Sequence, residues 1–228
     1  MARRCRAPGQ HTTRLTMIRC IPTLLPLLLL LAVLGLARPD SATAQSSFSP
    51  PDKAFTMSLP SGFVAIPALE LYLFEHPGQS GPVTPEAMAE FKATRMGFQR
   101  PADNWFTPPY MIITREVGKK RGPQELFMDH VMAQKDSEAH SSGEGYRFLE
   151  KEHQPTKRMH YYKDTGYSPG LGKNMAMGVY TYLTSQGFLR VAWFVPEDQL
   201  KSWEQLLHQS AMSVKLAPEM EYKPEGKP

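Results

Sequence analysis

Six histidines stand beyond residue 44, at His76, His130, His140, His153, His160 and His208, and metal binding is the first chemistry to test on them. A helical zinc site spaces two imidazoles four residues apart so that both point from one face. No two of these histidines are so spaced. His153 and His160 flank an expected hairpin turn without facing each other. His130 falls in an apolar stripe and reads as a hydrogen-bonded core residue, and His208 reads as solvated on the polar face of a helix. No metal site is expected. Acyl-transfer chemistry would place serine in a Gly-x-Ser-x-Gly elbow, and the chain has none; Ser141-Ser142-Gly143 reads as loop. Glu150, Glu152 and Asp164 would need to sit close and partly buried to cleave a glycoside. With Arg158 and Lys163 nearby, cross-strand ion pairing explains them better. Gly166 to Asn174 invites a phosphate-loop reading. That motif needs glycine where Tyr167 stands and serine or threonine where Asn174 stands, and this loop joins two strands. It reads as a strand connection. No catalytic residue and no cofactor is expected.

Two stretches remain as candidate partner contacts. Asn104-Trp105-Phe106-Thr107-Pro108-Pro109-Tyr110 sets large aromatic rings beside prolines, which makes a contact surface of low conformational entropy. Trp105, Phe106 and Tyr110 are its candidates, against the reading that they cap one end of the core. Lys119-Lys120-Arg121 precedes a helix start, where free N–H groups favour an anion. The plainer reading of that turn is a solvated charge run. Tyr161, Tyr162, Tyr180 and Tyr182 read as cross-strand aromatic pairs.

The 228 residues carry 26 basic and 22 acidic side chains. Six of the basic residues and one of the acids precede Gln45, which leaves 20 and 21 in the body. Its net charge gives no reason to expect a nucleic-acid partner. The first 44 residues read as an export signal: basic Arg14 and Arg19, an apolar run from Ile21 to Ala37, and a small-x-small site at Ala42-Thr43-Ala44. Cleavage after Ala44 would release the protein to a bacterial periplasm or the medium. An uncleaved anchor is the alternative, and the signal segment would then be its only membrane contact. Translation from Met17 in place of Met1 would keep Arg19, the apolar run and the cleavage site. Both cysteines, Cys5 and Cys20, lie in this segment, so the mature chain would have no thiol, disulfide or cysteine-bound metal.

The elements that must position these residues follow from periodicity. Residues 45–54 read as a Ser/Pro linker. Strands are expected at 55–59 and at 69–74, where Leu69, Leu71 and Leu73 recur at every second residue. Thr84-Pro85 caps and opens a helix to Phe98. A strand over 110–117 and a helix from Pro123 to about Lys135 follow. The helix carries a stripe of Leu126, Phe127, His130 and Val131, and a polar loop occupies 136–145. Strands at 146–153 and 157–164 form one hairpin, and strands at 174–184 and 188–195 a second. Pro196, Glu197 and Asp198 start the clearest helix, whose Leu200, Trp203, Leu206, Leu207 and Ala211 make a core-facing stripe against Leu189, Val191 and Trp193. A strand over 212–216 closes a single domain at 55–216, and a disordered tail covers 217–228. Hairpins dominate, so the fold class is α+β, a mostly antiparallel sheet flanked by helices.

Three local features then stand together: Leu-Pro-Ser-Gly-Phe at Leu59 to Phe63, the hairpin Val179-Tyr180-Thr181 to Gly187-Phe188-Leu189, and a helix with Trp203 closed by Met212-Ser213-Val214-Lys215-Leu216. In these the chain resembles the PsbP-like superfamily, which includes the Ran-binding Mog proteins and the bacterial DcrB-like exported proteins. The resemblance spans Phe55 to Leu216 and implies an α/β/α sandwich. It also implies a binding or assembly factor without shared catalytic residues, whose partner would be a periplasmic or envelope protein. A small-ligand or lipid carrier and a hydrolase with an unrecognised site stand as alternatives.

Overall fold

A computed structural model describes residues 46–79, 81–140 and 146–224. The expected export signal with its cleavage site, both cysteines, Ser141-Ser142-Gly143 and the last four residues of the chain lie outside the described residues. Among the described residues, no helix is long and apolar enough to cross a membrane.

The elements are β1 (Ser46–Phe48), β2 (Phe55–Leu59), β3 (Val64–Ala65), α1 (Ala68–Glu75), α2 (Pro85–Thr94), β4 (Arg95–Gln99) and β5 (Tyr110–Arg115). Then come α3 (Pro123–His140), β6 (Arg147–Gln154), β7 (Met159–Ser168), β8 (Lys173–Thr184), β9 (Gly187–Pro196), α4 (Leu200–Met212) and β10 (Lys215–Leu216). Seven strands form an antiparallel sheet in the order β3-β4-β5-β9-β8-β7-β6, and β1-β2-β10 form a small second sheet. The fold class is α+β with helices on both faces of the main sheet, as the hairpin pattern and the resemblance imply.

The hairpin of β8 and β9 is the centre. Its period-two alternation sends Tyr180, Tyr182, Leu189, Val191, Trp193 and Val195 to one face, where they pack with Met111 and Ile113 of β5. Leu207 and Ala211 of α4 and Phe55, Met57 and Leu59 of β2 cover that face, so the expected stripe of α4 lies where its spacing put it. Gly178 pairs with Trp193 across the strands, and a Cβ there would stand 2.3 Å from the indole. Only glycine lets the ring lie flat over β8. On the opposite face Tyr110, Ile112 and Phe194 pack against Leu71 of α1 and Phe91 of α2, while Leu183 and Phe188 pack against Leu126 of α3.

Several sequence expectations give way. The stretch 69–74 is helical, not a strand. Glu70 is its one polar residue, so its apolar positions fit either period, and Pro67 sets the helix entry by accepting the Leu71 N–H at 3.0 Å. The helix from Thr84 stops at Thr94, whose hydroxyl turns back to the Glu90 carbonyl at 3.0 Å. Residues 95–99 then form β4 and carry Phe98 into the main core. Gly97 makes that possible, because it sits against Ile66 where a larger residue would crowd. Helix α3 runs on to His140, past the expected loop start, and of its expected stripe only Leu126 is fully buried, with Phe127 half exposed. Met212 closes α4, and β10 joins the small sheet beside β2.

The expected linker and tail are also built in. Phe48 of β1 stacks edge-on to Phe98 with ring centres 4.7 Å apart. Beyond Ala217, Ser185 donates its N–H to the Met220 carbonyl at 2.9 Å, Glu221 bridges to Thr184, and Met220 is buried. Its alternating Met220 and Tyr222 give the segment an apolar side to bury, which its prolines and charges masked in the sequence.

Candidate functional site

The aromatic loop and α1 meet at one end of the sheet. Gln99 ends β4 fully buried, and its side chain works in both directions: the amide oxygen accepts the Phe106 N–H at 2.6 Å and the amide nitrogen donates to the Asn104 carbonyl at 3.2 Å. This clamp holds Phe106 at φ +61°, a left-handed conformation that costs a bulky residue about 1–3 kcal/mol. In that pose Phe106 stacks on Phe74 of α1 at 3.9 Å between ring centres and meets Tyr110 edge-on at 5.7 Å. Tyr110 lies beneath them, stacked on Phe194, and burial pushes its phenol up to about 12. The peptide bond between Pro108 and Pro109 is cis.

Trp105, next in the chain, is 39 % exposed. So the loop divides: Tyr110 belongs to the core, Phe106 bridges core and surface, and Trp105 faces solvent. Leu69, Leu73 and Phe74 of α1 stand about half exposed beside it, while only Leu71 of that helix is fully buried. Between α1 and α2 runs an open groove of about 600 Å³, lined by Leu69, Leu73, Val83 and Met88 with Lys92 at its side. This eight-residue helix thus turns three large apolar side chains to solvent beside one another. Sequence reasoning named Trp105 and Phe106 but missed Leu69, Leu73 and Phe74, because a strand reading gave half of these residues to a core face. The signal that could have found them was that Tyr72 and Phe74 stand between and after the leucines, leaving Glu70 alone to mark a polar side.

The basic turn is not an open cationic patch. Glu116, nearly buried, takes Arg121 through two contacts of 3.2 and 3.3 Å, the Phe188 N–H at 3.0 Å and Lys119 at 3.8 Å. Burial works against ionisation of Glu116, but these donors outweigh it and hold its carboxyl below the usual range. The start of α3 is answered by its own Glu125, which accepts the Gly122 N–H at 2.9 Å. Lys120 and Arg121 line an open groove of about 660 Å³ together with Glu125, Glu219 and Glu221, a surface of mixed sign.

The histidines gather more than their spacing suggested. His153 and His160 are directly paired across β6 and β7, a correction to the expected register: the turn ends in Arg158 at φ +51°, which brings the two into line. His160 is fully buried and donates through Nε2 to Asp129 at 2.8 Å. His130 of α3 lies over both, with ring centres 5.6 Å from His153 and 5.2 Å from His160. Among the described residues, no group of three or more His, Cys, Asp or Glu side chains is arranged to hold a metal ion. His208 is half-buried, not simply solvated, and its Nδ1 meets the Tyr180 hydroxyl at 2.8 Å. Tyr161 and Tyr180 stack at 5.1 Å beside it, a cross-strand pair as their register requires.

The carboxylates do not converge with the histidines. Glu150 and Glu152 share the Tyr161 hydroxyl at 2.7 and 2.9 Å on the α4 side of the sheet, and Lys163, 5 % exposed, bridges Glu150 and Glu204 at 2.7 and 2.9 Å. Asp164 accepts from Tyr146. Arg158 points elsewhere, to the Tyr222 carbonyl and ring. The glycine-rich loop is a tight turn between β7 and β8.

The chain is an α+β protein with large apolar side chains exposed on α1 and at Trp105. No family model and no curated protein matches the chain. Among solved structures it is similar to the Ran-binding protein Mog1p of Saccharomyces cerevisiae, at 11 % identity and a TM-score of 0.44 over 75 % of this chain and 95 % of that one. It is similar to the cyanobacterial PsbP of Synechocystis, also at 11 % identity and 0.44, over 81 % and 99 %. LpqN of Mycobacterium tuberculosis, involved in cell envelope biogenesis, matches at 12 % and 0.38 over 76 % and 91 %. These are likenesses of fold alone.

Proposed function

We propose that this chain is a non-enzymatic binding or assembly factor that takes an apolar segment of a partner protein onto α1 and the Trp105 loop. The observation that carries the reading is the pairing of a rigid loop with an apolar helix: Gln99 fixes the ring stack of Phe106 on Phe74, while Leu69, Leu73, Phe74 and Trp105 are left to solvent. A surface ordered before it binds loses little entropy on binding. The groove between α1 and α2 is open and carries Leu69, Leu73, Val83 and Met88, apolar anchors of the kind that receive an amphipathic helix or an extended apolar segment. Its openness to solvent does not suit a lipid carrier, which encloses its cargo. The separation of Glu150 and Glu152 from His153 and His160 by the thickness of the sheet leaves a hydrolase without a common centre. A periplasmic or envelope protein is the partner proposed, in keeping with the export signal read from the sequence.

The test is site-specific photocrosslinking in the native host. A crosslinking residue in place of Leu73, and a second in place of Trp105, are expected to trap one and the same protein. A crosslinker at Lys201, on the exposed side of α4, is expected to trap none. Equal adducts from all three positions, or different ones from Leu73 and Trp105, would overturn the proposal.

A further inference from the structure

Helix α3 is fastened to the sheet largely by groups that titrate. Of its side chains that the structure describes, Leu126 alone is fully buried, against Leu183 and Phe188. One turn further on, Asp129 accepts from His160 through Oδ2 at 2.8 Å and from Arg190 through Oδ1 at 2.9 Å. His130 then lays its ring against His153 and His160. Three imidazoles from α3, β6 and β7 thus share one seam. The charged and titratable groups around them are Asp129 and Asp136 on α3, Lys151 on β6, Tyr162 on β7 and Arg190 on β9. From β8 comes only the uncharged Thr181, paired with His160. The His160 Nδ1 and the Thr181 hydroxyl are buried without a hydrogen-bond partner, so neither helps to fasten the seam.

We propose that α3 is a proton-sensitive latch, closed on the sheet while His130 and His153 are neutral and released when protonation sets two new cations beside His160. Asp129 is the carboxylate in contact with the cluster, and both of its oxygens are already engaged, one with His160 and one with Arg190. Like charges in adjoining rings then repel, and Asp129, already engaged by His160 and Arg190, offsets that repulsion only in part. Burial first, and charge at His160 second, hold both His130 and His153 below the ordinary imidazole value. A histidine lowered in the folded state favours folding above its unfolded value of about 6.5, and that contribution is lost as pH falls from there toward the folded value. Opening would uncover Leu183 and Phe188 on the same face of the sheet as α1, in a cluster separate from the one that α1 covers. The device goes beyond the proposed partner contact and does not depend on it.

Amide hydrogen exchange of the full chain at about pH 7.5 and about pH 5.5, corrected for intrinsic exchange, tests the latch. Exchange in α3 is expected to accelerate by at least about tenfold relative to β8 and β9 on acidification. In the double variant His130→Gln/His153→Gln that difference is expected to vanish. Unchanged protection of α3 in the native protein, loss of protection in step with β8 and β9, or the same acceleration in the double variant would each overturn the proposal. Should the double variant not fold, proton titration of the imidazole resonances in the native protein decides. Midpoints of His130 and His153 below the ordinary imidazole value support the latch, and midpoints at or above it refute it.

Discussion

Lys163 shows how much one side chain can hide in a sequence. From its position it was, with Arg158, a candidate ion-pair partner for Glu150 and Glu152, and the structure pairs it with Glu150 at 2.7 Å. What the sequence did not show is that Lys163 is buried and that Glu204 of α4 reaches it from above at 2.9 Å. The Lys163 and Tyr161 hydrogen bonds lower the Glu150 carboxyl. A lowered carboxylate contributes stability above its ordinary value of about 4.5, and that contribution is lost as pH falls through the folded value. Lys163→Met keeps the aliphatic stem and removes the charge. Both carboxylates are exposed enough to hydrate, so stability at neutral pH is expected to change by no more than about 1 kcal/mol. The loss of stability below about pH 4.5 should be shallower than in the native protein, as read from denaturant midpoints across pH. An acid limb as steep as the native one would show that Glu150 is held by something other than Lys163. Gln99 is the contrasting residue. Nothing in its neighbours marks it, because both groups it serves, Asn104 and Phe106, become its neighbours only when the loop folds back.

At the scale of elements, α1 separates packing from contact within one turn. Leu71 is fully buried among Ile66, Phe91 and Tyr110, whereas Leu73 faces the groove. Leu71→Ala is expected to destabilise the protein by about 2–5 kcal/mol, the usual range for a truncated core leucine. Leu73→Ala is expected to change stability by less than about 0.5 kcal/mol and to weaken crosslinking from the Trp105 position. Thermal unfolding and the crosslink yield separate the two, and similar stability losses would place Leu73 in the core. The strand reading of this segment failed for a physical reason. A run apolar on every side carries no period, and the choice then falls to what packs beneath it. Helix α4, with polar Lys201, Gln205 and Gln209 opposite its stripe, carried its own period and was legible.

At the scale of the whole molecule, the described segments flanking the expected domain, 46–54 and 217–224, are part of the fold. The segment after Leu216 returns to the β8–β9 turn, buries Met220 and lays Tyr222 against the Leu126 cluster. Ending the chain after Leu216 removes these contacts, and the midpoint of chemical unfolding is expected to fall by an amount equivalent to about 2–4 kcal/mol. An unchanged midpoint would mean that the segment rests on the fold without stabilising it. The sequence by itself determined the α+β class, the central hairpin, α4 and the second hairpin of β6 and β7. Each of these rests on local periodicity and turn residues, which act between near neighbours in the chain. Only the tertiary structure decided that residues 69–74 are helical, that Trp105 is exposed while Tyr110 is buried, and that three histidines from three elements share one seam. Those outcomes depend on which distant surfaces cover which faces of the sheet, and no spacing along the chain encodes them.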